Sequence, residues 1–142
     1  MKICDVVLNS IWFDPRVNRQ IELYLLDPEI ELSLVGTNCE RYSKEKIDKY
    51  RVPVEIVEIP KRYKGKQYSL YKKIIREWIT NKKVSEAIVR MKPDIIHAND
   101  LNAFIPALMA AKRINAKVIY DSHEIYTESG RVAKTLIYKK KH

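Results

Sequence analysis

Glycine is scarce in this chain: three residues in 142, at Gly36, Gly65 and Gly130. They form no G-x-G-x-x-G fingerprint and no P-loop, which argues against tight backbone wrapping of a dinucleotide or triphosphate. A G-x-S-x-G nucleophile elbow is also missing. The two cysteines, Cys4 and Cys39, stand far apart and make no C-x-x-C pair. Nothing therefore suggests a secreted disulfide framework, and Cys4, inside an apolar run, reads as a small buried hydrophobe. No apolar stretch approaches the roughly 20 residues that span a bilayer. The opening Met1-Lys2-Ile3-Cys4-Asp5-Val6-Val7-Leu8 is too short for a signal peptide and carries an acid in its middle, so a cytoplasmic protein is expected.

Apolar residues are plentiful at 46%, enough for a proper core, and the length suits one domain. The net charge of +9 is unevenly placed. Between Lys61 and Lys83 stand nine basic residues (Lys61, Arg62, Lys64, Lys66, Lys72, Lys73, Arg76, Lys82, Lys83) against the single acid Glu77, a local charge of +8. Lys139, Lys140 and Lys141 form a second cluster. Charge gathered in this way speaks to a particular surface and partner.

Short β-branched runs alternate with segments of helical period, the pattern of a parallel α/β sheet. Strands are predicted over 2–8, 31–36, 54–59, 94–98 and 117–121. Asp14 offers a cap and Pro15 a first helical residue, ahead of Val17, Ile21 and Leu25 at four-residue intervals. A long helix is predicted over 68–91, with Thr80-Asn81 as a candidate kink and Pro93 as its stop. Another follows over 101–114, where Pro106 is tolerable only near the first turn. Right-handed crossovers wind such elements into a Rossmann-like, doubly wound parallel sheet of about five strands in the order 3-2-1-4-5. One domain over 1–128 is expected, with 129–142 a basic tail or the start of a truncated continuation.

Ligands of open α/β sheets bind beyond the carboxyl ends of the strands, where this chain's polar clusters fall. Asn9, Ser10, Asp14 and Arg16 follow the first strand, and Thr37 and Asn38 the second. His97, Asn99 and Asp100 end the fourth; Asp121, Ser122, His123 and Glu124 end the fifth. Asp14, Asn99 and Asp100 also suit helix capping. His123, flanked by Asp121 and Glu124, reads as functional. His97, Asp100, Asp121 and His123 could be drawn as a metal site, but such spacing arises often by chance and no metal is assigned.

Three segments resemble the family-four glycosyltransferases of the GT-B fold. They are Phe13-Asp14-Pro15-Arg16-Val17, then Lys92-Pro93-Asp94-Ile95-Ile96-His97-Ala98-Asn99-Asp100, then Val118-Ile119-Tyr120-Asp121-Ser122-His123-Glu124, in the family's order. The resemblance implies two Rossmann-like domains facing across a cleft, the amino-terminal one holding the acceptor and the other gripping a nucleotide sugar. It implies transfer with retention of anomeric configuration, with no metal or cofactor beyond the nucleotide sugar as co-substrate. By position, His123 would be the catalytic-site residue facing the donor sugar. Arg16 would approach the donor diphosphate or an anionic acceptor. Asn9, Ser10, His97 and Asp100 would line the acceptor side, with Asp121 and Glu124 beside the histidine.

The family's donor-binding half and its paired glutamates are not in these 142 residues. The expected partners are a nucleotide-sugar donor, held through that missing domain, and a glycan or lipid-linked acceptor such as polysaccharide synthesis uses. For the basic segment two readings stand. Lys61, Arg62, Lys64, Lys66, Lys72, Lys73, Arg76 and Trp78 form a face for an anionic membrane, giving a peripheral position on its inner side. Otherwise Leu70, Ile74, Trp78 and Ile79 are a core face and the lysines a solvated one. A nucleic-acid module is the less favoured rival, since no recognised motif accompanies the charge; a subunit of a split enzyme is a further one. A transition state made between two domains cannot be preorganised by one. The purified 142-residue chain is thus expected to turn over no nucleotide sugar, and any measured turnover overturns that expectation.

Overall fold

A computed structural model describes residues 1–8, 14–37, 50–59 and 70–122. The elements run β1 (Lys2–Val7), α1 (Pro15–Leu25), β2 (Glu31–Thr37), β3 (Val54–Val57), α2 (Leu70–Met91), β4 (Ile95–Asn99), α3 (Asp100–Ile114) and β5 (Lys117–Asp121). The five strands pair in parallel in the order β3-β2-β1-β4-β5, the expected doubly wound sheet.

Alternation along β1 divides the core in two. Cys4 and Val6 join Val35, Val57, Ile96 and Ala98 on the face covered by α2 and α3. Ile3 and Val7 join Leu32 and Leu34 on the face covered by Val17 and Ile21 of α1. The α2–α3 contact uses Ala87 against an alanine-rich face, Ala103, Ala107, Ala110 and Ala111, so the two helices approach closely above the sheet. Burial pushes the Cys4 thiol up to about 12, which leaves it an inert core group.

Local chemistry accounts for the helix ends. Asp14 caps α1 by accepting from the Arg16 amide at 3.0 Å, and Pro15 supplies the first helical residue. α2 stops at Met91, where Lys92 takes φ 49° before the buried Pro93. Asn115 ends α3 in the left-handed conformation usually left to glycine.

Five sequence expectations are corrected. α2 runs unbroken through Thr80-Asn81, because Thr80 is buried in the helix's packed face rather than turned outward. Pro106 lies in the second turn of α3, not the first, so one intrahelical donor is lost. The carbonyl deprived of it belongs to the exposed Asn102, which water can reach. The reading of Leu70, Ile74 and Trp78 as a core face fails, since all three are exposed. β3 is shorter than predicted, and β4 is displaced by one residue toward the carboxyl end.

The halves of α2 therefore differ in what substitution does. Ile88→Ala, in the packed half, is expected to destabilise the fold by about 2–5 kcal/mol. Ile74→Ala, in the exposed half, is expected to stay within about 0.5 kcal/mol of the parent. Urea melts of the two variants check the contrast.

Candidate functional site

The strand order reverses between β1 and β4, and the crevice at such a switch point is where open α/β sheets hold ligands. Register places Gly36, Val7, Asn99 and Asp121 side by side as the last rung across β2, β1, β4 and β5. Two residues earlier, Asp5 lies beside His97 and His97 beside Ile119. Alternation puts Asp5, His97, Asn99 and Asp121 on the α1 face, a polar column rising to the carboxyl edge.

At the centre of the column is a buried pair. Asp5 is only 1% exposed, and its Oδ1 accepts a hydrogen bond from Asn99 Nδ2, which also reaches the Val6 carbonyl at 3.4 Å. Asp5 Oδ2 and Asn99 Oδ1 have no hydrogen-bond partner. Burial dominates the titration of Asp5 and lifts it to about 7, against the lowering effect of the Asn99 and Val6 hydrogen bonds, with the Asp121 charge adding to the rise. A proton on Oδ2 removes the charge that burial penalises and turns one unpartnered acceptor into a donor. Asn99 stands at the cap position of α3 but spends its side chain on Asp5 and makes no capping bond.

His97 is buried beneath α1, where Tyr24 Oη meets Nδ1 at 2.6 Å and the Gln20 side-chain amide nitrogen meets both Nδ1 and, at 3.0 Å, Nε2. The Tyr24 ring stands edge-on to the imidazole, 6.0 Å between centroids. Gln20 and Tyr24 are one helical turn apart, so a single face of α1 fixes the ring.

Toward solvent the edge is acidic. Asp100 opens α3 with φ 67°, an unusual backbone for a residue with a side chain, and Asp121 ends β5, partly exposed. Arg16 faces them from the first turn of α1 and pairs with Asp14 through Nε at 3.2 Å and Nη2 at 3.1 Å. That guanidinium holds the Asp14 carboxyl below its ordinary range, and Asp14 in turn raises Arg16, with Asp100 and Asp121 contributing to the rise. Aspartates so placed accept hydrogen bonds from hydroxyl groups, and an arginine at a helix amino terminus suits an anion.

The structure thus gathers Arg16, His97, Asp100 and Asp121 at or just below one edge, with His97 covered and the other three reachable. Lys72, Lys73, Arg76 and Trp78 lie apart on α2. Asn9, Ser10, Lys61, Arg62, Lys64, Lys66, His123, Glu124 and the expected tail 129–142 lie outside the described residues. Among the described residues no three His, Cys, Asp or Glu side chains come together as a metal would require, and no helix is long and apolar enough to cross a membrane. Asp5 and the Gln20–Tyr24 clamp were missed in the sequence. Their signal was an acid inside an otherwise apolar parallel strand, which demands a buried partner.

No protein-family model matches the chain, and no curated protein does. Solved structures do. A UDP-GlcNAc 2-epimerase from Neisseria meningitidis bound to UDP-GlcNAc superposes with TM-score 0.56 at 15% identity, over 94% of this chain and 36% of that one. A glycosyltransferase from Rickettsia africae gives 0.55 at 18% identity, over 94% and 32%. A UGT transferase from Siraitia grosvenorii in complex with UDP gives 0.55 at 10% identity, over 84% and 27%. The chain shares the fold of glycosyltransferase-like proteins and spans about a third of their length.

The Asp5 pair generates a pH test. Asp5 titrates higher in the folded chain than the ~4 of an unfolded one, so the native state holds the proton more tightly. Stability should fall as pH rises from about 4 to about 7 and then level off. Asp5→Asn supplies an amide donor at every pH. It is expected to exceed the parent by about 1–3 kcal/mol at pH 8 and to converge with it near pH 4. Denaturant melts across that range check the crossover, and a pH-independent gap would refute the buried acid.

Proposed function

We propose that this chain is the amino-terminal, acceptor-side half of a retaining glycosyltransferase of the family-four, GT-B type. It serves transfer of a sugar from a nucleotide sugar to a glycan or lipid-linked acceptor, as in polysaccharide synthesis. The carrying observation is the acidic edge beside the switch point, Asp100 and Asp121 facing Arg16, on a fold shared with a glycosyltransferase, a UGT transferase and a UDP-GlcNAc 2-epimerase. Carboxylates at that edge suit the hydroxyls of an acceptor sugar. A row of aspartates repels a diphosphate, which fits a donor gripped by a second domain.

In this reading His97 is a positioning residue: held by Tyr24 and Gln20, it keeps α1 seated against β4. In the same reading Arg16 approaches the donor phosphate from across the cleft. His123 is the catalytic residue, orienting the donor sugar while charge develops at its anomeric carbon, with Asn9, Ser10 and Glu124 around it. Two of the similar structures hold UDP-GlcNAc and UDP, which supports a uridine diphosphate sugar as donor. The protein works in the cytoplasm, at the inner membrane face when its acceptor is lipid-linked. Activity requires the donor-binding half.

Amide NMR of the isolated chain separates acceptor from donor binding. A panel of oligosaccharides is expected to shift the amides around Asp100 and Asp121, Asp100→Ala to abolish that response, and UDP to bind feebly or not at all. Saturable UDP binding without any saccharide response would sink the acceptor-side assignment.

A further inference from the structure

α2 is longer than the sheet it packs on. Lys83 Nζ donates to the Glu58 carbonyl at 3.1 Å, which fixes the level of Lys83 at the exit of β3. From Thr80, its first buried residue, back to Leu70 the helix runs ten residues, about 15 Å, past its packed part, on the side of the strands' carboxyl ends. Its buried residues, Thr80, Val84, Ser85, Ala87 and Ile88, all lie from Thr80 onward.

The projecting part is apolar where it is bare. Leu70, Tyr71, Ile74 and Trp78 are 73%, 70%, 60% and 60% exposed, and Ile75 is exposed as well. At about 100° per residue these five share one arc of roughly 140°. Lys72 and Lys73 stand on its two flanks, exposed. Lys82 lies over the Trp78 ring at 5.5 Å. The acid here, Glu77, is paired with Arg76 at 2.5 Å, and Arg76 keeps only 15% of its side chain exposed.

We propose that this arc is a docking face for a bilayer surface carrying anionic headgroups. The aliphatic and aromatic side chains enter the interfacial layer, and Lys72, Lys73 and Lys82 meet the headgroups. Charge selects this occupant. A second copy would bring the same lysines face to face, which opposes self-association. A nucleic acid would use the lysines and the tyrosine but leave Leu70, Ile74 and Ile75 unpartnered. An anionic bilayer uses both sets. The helix overshoots on the side of the candidate site, so docking carries the sheet's carboxyl edge toward the membrane. The inference stands independently of the glycosyltransferase reading.

The test is flotation of the 142-residue protein with phosphatidylcholine vesicles, with and without phosphatidylglycerol, at low and high salt. Partition is expected onto the phosphatidylglycerol vesicles at low salt and to weaken by roughly tenfold or more at high salt. In a Trp12→Phe background Trp78 is the sole tryptophan, and its emission should shift to the blue on binding. The double variant Ile74→Ser/Trp78→Ser changes exposed positions only, and circular dichroism confirms that it folds. It should lose partition by about tenfold or more. Three outcomes overturn the proposal: no partition at low salt, partition untouched by the double variant, or binding of a duplex oligonucleotide or a second copy in place of vesicles.

Discussion

A parallel strand cannot be reached by a tight hairpin, so each successor in this sheet arrives through a crossover that must lie on one face or the other. β1 feels that constraint most. It is hydrogen-bonded to β2 and β4, roofed by α2 and α3 on one side and by α1 on the other. The apolar run Ile3-Cys4 and Val6-Val7 follows from burial on both faces. So does the isolation of Asp5, which is buried and takes its partner from the neighbouring strand. The register that gives β1 its neighbours also sets Asn99 and Asp121 in line at the carboxyl edge.

Strand order and helix placement were legible because they rest on short-range signals: β-branched runs, Asp14-Pro15 at a helix start, Pro93 beyond a helix end. What escaped was tertiary. Thr80-Asn81 suggests a break until the sheet beneath it is known, and Pro106 suggests a helix start until Asn102 is seen in solvent. Leu70, Ile74 and Trp78 carry a helical period indistinguishable from a core face, because periodicity records which residues share a side and not what covers it. At the site, the edge positions of Arg16, Asp100 and Asp121 were readable from strand ends alone. The covering of His97 was not, since it depends on two side chains of α1 more than seventy residues earlier.

Charge is divided along the same axis. Aspartates gather at the sheet's edge around Arg16, while lysines gather on the helix that projects past it. Opposite potentials on one side of so small a domain give an approaching molecule a preferred orientation before any contact forms.

Few glycines have an energetic consequence. Arg51, Lys92, Asp100 and Asn115 all adopt positive φ, between 49° and 67°, where a Cβ is uncomfortable. Each carries local strain that glycine would relieve. Yet glycine at those positions would also widen the conformations open to the unfolded chain, and so raise the entropy lost on folding. The native state is left slightly tense at four turns, and the denatured ensemble is correspondingly narrowed.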